Sequence, residues 1–290
     1  MNATMNEEMN EERYQFVLSL YLIRTQYPQM GLFQPDFIWV TFRSMMPSKY
    51  NRNDDDIHEV VNEWCDDAEV AAIKYGHINK WNTSLVTNMK ELFKDNEDFN
   101  DDISKWNVSN VTDMSWMFHG ASSFIGDISA WNVSSVTNMR FIFKGSSFNG
   151  DISGWNVSNV ISMIRMFEGT PFNGDISRWD VSRVIDMEKM FQLTHFDGDI
   201  SSWNVSNVIY MERMFYRTSF NGDISRWNIS KVRNMRRMFW NTPFNRDISG
   251  WQISDSCETR GMFENCTIPK EHKPTGGDSN AIESDSDGDY

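Results

Sequence analysis

Apolar and polar positions recur with a fixed period between residues 74 and 266 of this 290-residue chain. Tryptophan marks the period at eight positions, which follow one another at intervals of 25, 25, 24, 24, 24, 24 and 24 residues: Trp81, Trp106, Trp131, Trp155, Trp179, Trp203, Trp227 and Trp251. Around each tryptophan recurs the unit F-N-G-D-I-S-x-W-N-V-S-x-V-x-x-M-x-x-M-F, of which residues 148–171 are a clean copy. Self-similarity at such a period predicts a repeat architecture.

Within the unit, the apolar spacing predicts one short strand followed by one short helix. Ile152, Trp155 and Val157 follow the L-x-x-L-x-L spacing of a leucine-rich-repeat strand, in which alternate side chains point inward. Ser158 then occupies the position of a helix N-cap. The apolar face of the predicted helix comprises Val160, Met163, Met166 and Phe167.

Stacking of these units is required, because a single unit cannot bury its own apolar face. Gly120, Gly145 and Gly169 stand two residues after phenylalanine, where a left-handed residue ends a helix. We therefore predict a repeat solenoid of leucine-rich-repeat type over residues 73–267. It should contain about eight coils of 24 residues, each with one short parallel strand and one short helix, and bury the tryptophans in its interior.

Three polar positions of the unit also repeat, and each has a structural interpretation. The asparagine and serine positions are too uniform to encode a partner, so we predict that they satisfy backbone groups between coils. Each coil offers one aspartate rather than the several acids of a calcium loop, so we predict an acceptor for N–H groups of its own turn and no metal site. The columns are Asn82, Asn107, Asn132, Asn156, Asp180, Asn204, Asn228 and Gln252; Ser84, Ser109, Ser134, Ser158, Ser182, Ser206, Ser230 and Ser254; and Asp102, Asp127, Asp151, Asp175, Asp199, Asp223 and Asp247.

The two ends of the chain differ from the repeats in pattern. Residues 1–72 predict a helical N-terminal capping region, with helices over Tyr14–Ile23, Pro35–Met46 and Ile57–Trp64. Residues 268–290 are polar and acidic, and they predict a disordered acidic tail.

Charge and motifs narrow the class of function. The net charge of −14 resides at the two ends of the chain, since residues 105–267 carry 16 basic and 16 acidic side chains. The five histidines are scattered, and no H-E-x-x-H, C-x-x-C, phosphate-binding G-x-x-x-x-G-K-[ST] or nucleophile G-x-S-x-G motif occurs. We therefore predict no catalytic activity, cofactor or small-molecule substrate. No apolar run is long enough to span a membrane, and the acidic ends argue against nucleic acid.

A candidate binding site is indicated where the repeats differ from one another. Residues 212–246 hold eight basic side chains and two acidic ones. Tyr216 and Trp240 stand 24 residues apart, as do Arg213 and Arg237, so each pair should be adjacent across one coil. Tyrosine, tryptophan and arginine are enriched in binding hot spots. We predict a site for an acidic surface of a partner protein, or for the acidic tail itself, at Arg213, Tyr216, Arg217, Arg236, Arg237 and Trp240.

The repeated unit resembles the BspA-like leucine-rich repeat family, which includes mycoplasma-type lipoprotein repeats and protist surface proteins. The resemblance covers roughly residues 74–266, together with the lead-in from Trp64 to Trp81. It implies a non-enzymatic scaffold or adhesion-type module that binds a protein through variable positions of the repeat surface. It allows display on a cell surface, whereas the absence of an evident signal peptide in this sequence favours the cytoplasm.

A second resemblance gives an alternative function. Residues 34–47, QPDFIWVTFRSMMP, are similar to the opening helix of an F-box, with Pro35, Ile38, Phe42, Met46 and Pro47 in the expected places. An F-box followed by repeats implies a substrate adaptor of a ubiquitin ligase. Co-purification with a Skp-type partner would separate this adaptor from the scaffold.

Overall fold

The computed structural model describes residues 49–275 of a chain that forms two compact units, Met1–Asn51 and Arg52–Tyr290. The predicted helices Tyr14–Ile23 and Pro35–Met46, the F-box-like segment 34–47 and residues 276–290 of the predicted tail lie outside the described residues. Strand β1 (Asn51–Asn53) pairs with strand β2 (Asn82–Leu85). Between them lie helix α1 (Ile57–Asp66), helix α2 (Ala68–Tyr75) and a 3-10 turn at Ile78–Lys80.

Helix α1 occupies the place of the third predicted helix, and its apolar residues face the interior. Ile57, Val60, Val61 and Trp64 are all buried, which follows from their spacing along one helical face. Asp67 separates the two helices and caps the second, since its carboxylate accepts N–H bonds from Glu69 and Val70 at 3.1 and 3.0 Å. Helix α2 is followed by Gly76, whose φ of 76° only glycine adopts readily.

Successive repeats lie directly against one another and are joined by backbone hydrogen bonds. A row of parallel bridges links equivalent residues one repeat apart, from Asn88 with Asp113 to Asn234 with Glu258. In the repeat of residues 148–171, the N–H groups of Met163, Arg165, Phe167 and Gly169 all donate to carbonyls of the next repeat, at 2.8–3.0 Å. The intervening N–H groups of Met166, Glu168 and Thr170 close reverse turns within their own repeat. The backbone is therefore divided between the two kinds of bond.

The segment predicted as a short helix consists of these reverse turns. The second residue after the first methionine has a positive φ in every repeat from the first to the seventh, as at Trp116 (61°) and Arg165 (52°). A left-handed residue every few positions stops helix propagation, and it turns alternate N–H groups toward the neighbouring repeat. The predicted left-handed glycines Gly120, Gly145 and Gly169 are confirmed, each with a φ of 68°.

The predicted strand at W-N-V is also displaced. Among the described residues, only β2 at Asn82–Leu85 covers this position, and the parallel bridges of the other repeats lie at the residue before methionine. The reason is local: Asn156 and Val157 take part in two consecutive turns, in which Ser158 N–H donates to Asn156 Oδ1 and Val160 N–H donates to the Val157 carbonyl. A turn at W-N-V leaves no extended residues there for a ladder.

The interior consists of columns of one residue type, and the predicted burial of the tryptophans is confirmed. All eight repeat tryptophans are 2–4% exposed. Each indole N–H of Trp106 and the later repeat tryptophans donates to an isoleucine carbonyl of the preceding repeat, as from Trp179 to Ile152 at 3.2 Å. Phenylalanine rings stack along two columns, as in Phe167 on Phe191 with centroids 5.8 Å apart. Each buried indole thus meets the acceptor that it requires.

The change from 25 to 24 residues between tryptophans has a structural cause. The extra residue of the first two repeats lies between their two phenylalanines, where Phe124 N–H donates to the Ala121 carbonyl. In the 24-residue repeats a buried hydroxyl replaces this backbone acceptor. Thr170 Oγ1 donates to the Phe167 carbonyl at 2.8 Å and accepts from Phe172 N–H at 3.3 Å. The shorter repeats therefore require a hydroxyl residue at this position.

Both ends of the repeat stack are covered by residues outside the repeated unit. Asp54 accepts N–H bonds from Thr87 and Asn88 at 2.7 and 3.0 Å, on the edge where the first repeat has no preceding repeat. At the other end, Ile248 N–H donates to the His272 carbonyl, and Lys270–His272 form a 3-10 turn. Residues 268–273, which we predicted as the start of the disordered tail, are therefore structured by packing on the last repeat.

Candidate interaction face

Some of the side chains that vary between repeats stand before tryptophan, as Lys105, Gly154 and Arg178 do, and others lie together on what we call the turn face. It comprises the two residues between the methionines and the two residues after phenylalanine, for example residues 164, 165, 168 and 169. Backbone bonds connect successive repeats in a continuous row along this face, since Arg165 N–H donates to the Glu188 carbonyl and Arg213 N–H donates to the Arg236 carbonyl. The turn face therefore presents one group of side chains per repeat at a constant spacing.

The predicted site forms a compact group, here called the C-terminal cluster: Arg213, Tyr216, Arg217, Arg236, Arg237 and Trp240. The predicted stacking of Tyr216 on Trp240 is confirmed, with ring centroids 4.6 Å apart and planes inclined by 9°. The guanidinium of Arg217 lies 5.5 Å from the Tyr216 ring and 5.0 Å from the Trp240 ring. Arg213 lies over the Tyr216 ring at 5.4 Å. Such contacts hold cations against aromatic faces.

Burial divides the cluster into supporting and accessible residues. Tyr216 is 4% exposed and Arg213 is 8% exposed, although we expected both at the surface. Both are covered because they pack between neighbouring repeats. Arg217 is exposed, Arg237 and Trp240 are half-buried, and the Arg236 side chain is 13% exposed, slightly more than the 10% of the Arg213 side chain. These four accessible residues are the ones that can contact a partner directly.

The charges of the cluster are unevenly balanced. Glu212 Oε1 lies 3.9 Å from Arg213 Nε and 3.4 Å from Arg236 Nη1, and its other oxygen accepts from Asn234 Nδ2 at 2.9 Å. Partial burial, together with the positive charges of Arg213 and Arg236, lowers the pKa of Arg237, and Glu264 opposes this shift. The guanidinium of Arg237 is thus crowded by like charges, a situation that a bound carboxylate would relieve.

A second aromatic and cationic group lies on the turn face of the earlier repeats, and our sequence-based selection of site residues did not include it. This N-terminal cluster comprises Lys94, Trp116, Arg140, Phe141, Lys144 and Arg165. Trp116 stacks on Phe141 with centroids 3.9 Å apart and planes inclined by 9°. Lys94 lies over Trp116 at 5.1 Å, and three cations surround Phe141, at 5.4, 5.9 and 5.4 Å. The signal in the sequence was two aromatic residues at one repeat position, 25 residues apart.

Glutamates lie beside cations of the N-terminal cluster and of the repeat that follows it. Glu168 lies 3.5 Å from Arg165 and 3.9 Å from Lys144, and Gln192 Nε2 donates to Glu168 Oε1 at 3.3 Å. Glu188 pairs with Lys189 at 2.9 Å. Glu168 therefore offsets part of the charge of Lys144 and Arg165 within the N-terminal cluster, and Glu188 offsets that of Lys189 between the clusters.

The uniform polar columns lie outside the turn face. The predicted role of the aspartates as N–H acceptors in their own turns is confirmed: Asp151 Oδ1 accepts the Ser153 N–H at 2.9 Å, and the other six form the same bond. That N–H bond and the serine hydroxyl lower the pKa of Asp151. The asparagines act within their own repeat, not between coils as predicted, because Asn156 accepts from Ser158 N–H. Side-chain bonds between repeats come from other columns: Asn173 N–H donates to Asn149 Oδ1 at 3.0 Å, and Asn159 Nδ2 donates to the Ser134 carbonyl at 2.8 Å.

Two further properties of residues 49–275 bear on the site. No group of three or more histidine, cysteine, aspartate or glutamate side chains in this range is arranged to hold a metal ion. No helix in the same range combines the length and apolar character needed to cross a membrane.

The repeats match the model of one protein family, described as Mycoplasma protein of unknown function, DUF285, over residues 62–174 and again over residues 165–274. The two matches together include α2, every repeat and the second half of α1, so the chain belongs to this family of repeat proteins. No curated protein and no solved structure matches the chain significantly.

Proposed function

We propose that the chain is a non-enzymatic module that binds a partner protein through the turn face of a leucine-rich-repeat-type solenoid. The row of parallel bridges and the stacked interior columns support the solenoid, and the repeated unit supports a relation to BspA-like proteins. The observation that carries the binding role is the C-terminal cluster, in which Arg217, Arg236, Arg237 and Trp240 remain accessible beside buried Tyr216.

Burial of Tyr216 and Arg213 supports this role, since hot-spot residues act best when their neighbours hold them in one conformation. The uniform side of each repeat already uses its polar groups in local turns. The turn face carries much of the change in composition from repeat to repeat, and specificity requires such differences.

The test is a quantitative pull-down from the native cell with the full chain. Arg236→Glu with Arg237→Glu should abolish capture of the partner. The matched control is Arg178→Glu with Arg226→Glu, which makes the same change in charge at two exposed residues that precede tryptophan. Equal capture by all three proteins would refute the proposal. Capture that depends on residues 34–47 and not on the cluster would favour the F-box-type adaptor.

A further inference from the structure

The two clusters occupy the same rows of the turn face with their residue types exchanged. In the N-terminal cluster the aromatic pair, Trp116 and Phe141, stands at the left-handed position, and a cation, Lys144, follows the phenylalanine of the repeat. In the C-terminal cluster Arg213 and Arg237 stand at the left-handed position, and the aromatic pair follows phenylalanine. Both arrangements produce a stacked aromatic pair bordered by cations.

The distance between the clusters follows from the repeat geometry. Trp116, Phe141, Arg165, Lys189, Arg213 and Arg237 form one row, in which each N–H donates to a carbonyl of the next repeat. The centres of the clusters are four repeats apart along this row, about 20 Å at the usual ~4.8 Å between hydrogen-bonded strands. An extended peptide spans this distance with about six residues.

We infer that the two clusters act together and bind one extended acidic segment of a protein, an inference that rests on the proposed function and names its ligand. The middle of the row favours a peptide over a nucleic acid. Glu168, Glu188 and Glu212 are interspersed with the cations, and they would repel a phosphate chain that carries a charge at every nucleotide. A peptide can place uncharged residues opposite these glutamates and carboxylates opposite the two clusters.

Simultaneous contact with both clusters has a measurable signature. Once one end of a peptide is bound, the other end is held near the second cluster at a high effective concentration, which raises affinity without any new type of contact. A peptide too short to reach both clusters lacks this gain.

The experiment measures fluorescence polarisation of two labelled peptides with the full-length protein at low salt: a 4-residue oligoglutamate, and a 12-residue peptide with four glutamates at each end and four uncharged residues between them. The 12-residue peptide should bind at least about tenfold more tightly than the 4-residue peptide. Arg140→Glu with Lys144→Glu in one cluster, or Arg236→Glu with Arg237→Glu in the other, should each reduce its affinity to that of the short peptide. Arg178→Glu with Arg226→Glu should leave the ratio of affinities unchanged.

Other outcomes separate the two levels of the hypothesis. If only the C-terminal variant weakens the long peptide, joint binding is refuted and the proposed function stands. If neither variant weakens binding of the long peptide more than the control does, joint binding and the proposed function are both refuted. If a 12-nucleotide single strand binds more tightly than the 12-residue peptide, the hypothesis that the ligand is an acidic protein segment is refuted. Substitution by glutamine at the same four positions removes the charge without reversing it. The glutamine variants replace the glutamate variants in the experiment if a charge-reversed protein does not show a wild-type thermal melt.

Discussion

The two sides of each repeat differ in how uniform their side chains are from one repeat to the next. On one side, Asp151 accepts from Ser153 and Asn156 accepts from Ser158, and these turns recur with nearly the same distances from the second repeat to the seventh. On the turn face, equivalent residues range from Trp116 through Arg165 to Gly261.

The comparison shows which positions the fold requires. Where a side chain is the acceptor for a backbone N–H, as in the aspartate turns, a replacement must supply an oxygen at the same place. On the turn face the backbone groups of successive repeats bond to one another, as between Arg165 N–H and the Glu188 carbonyl. Side chains there are not needed as acceptors for backbone N–H groups, so they can vary and contact a partner.

The largest expected effect concerns the interior that both sides share. Trp179→Ala removes a buried indole that bonds to the Ile152 carbonyl, and it should lower the free energy of unfolding by about 3–5 kcal/mol. Chemical denaturation provides the measurement, with exposed Arg178→Ala as the neighbouring control. Equal midpoints for the two variants would contradict a shared interior.

A smaller effect is expected for the buried hydroxyl that closes the 24-residue repeats. Thr194 Oγ1 donates to the Phe191 carbonyl at 2.8 Å and accepts from Phe196 N–H at 3.3 Å. Thr194→Val keeps the shape but leaves both backbone groups without this partner, so stability should fall by about 1–3 kcal/mol. Thr194→Ser retains the hydroxyl and should recover most of the loss in the same denaturation experiment.

The next effect concerns the edge of the first repeat. Asp54→Ala removes the acceptor of the Thr87 and Asn88 N–H groups, and by analogy with helix caps it should cost about 1–2 kcal/mol at pH 7.

Acid titration tests the charge of this cap. Burial raises the pKa of Asp54, but the bonds from Thr87 and Asn88 and the charge of His58 outweigh it and lower the pKa below its ordinary value of 3.8. The stabilisation is therefore complete above that ordinary value and is lost as the pH falls through the lowered pKa. The difference in the free energy of unfolding between wild type and Asp54→Ala should become smaller in that acid range. A difference that stays constant with pH would show that the charge of Asp54 is not involved.

The smallest effect tests how far the uniform side tolerates change. Asp180 stands where most repeats have asparagine, and its carboxylate accepts Ser182 N–H at 3.0 Å. Asp180→Asn keeps an oxygen acceptor and should leave the thermal midpoint at neutral pH unchanged. Asp180→Leu has no acceptor and should lower it, so equal melts for the two variants would contradict a bonding role for this column.

Several features followed from the chain alone because they depend on periodicity. The 24-residue recurrence of tryptophan, methionine and phenylalanine is enough to predict which side chains are buried. The same period predicted that Tyr216 meets Trp240, since residues one repeat apart become neighbours. Aspartate followed two residues later by serine is a local turn signal, and it was interpreted correctly.

Only the tertiary structure decided the features that depend on hydrogen bonds between repeats. The spacing Val160, Met163, Met166 fits a helix, but left-handed residues such as Arg165 turn alternate N–H groups to the next repeat. The exposure of the candidate site was likewise undetermined, because Arg213 and Tyr216 are covered by neighbouring repeats that the pattern within one unit does not describe. Sequence periodicity determined which residues lie next to one another. The bonding between adjacent backbones decided how each segment is folded and which side chains a partner can reach.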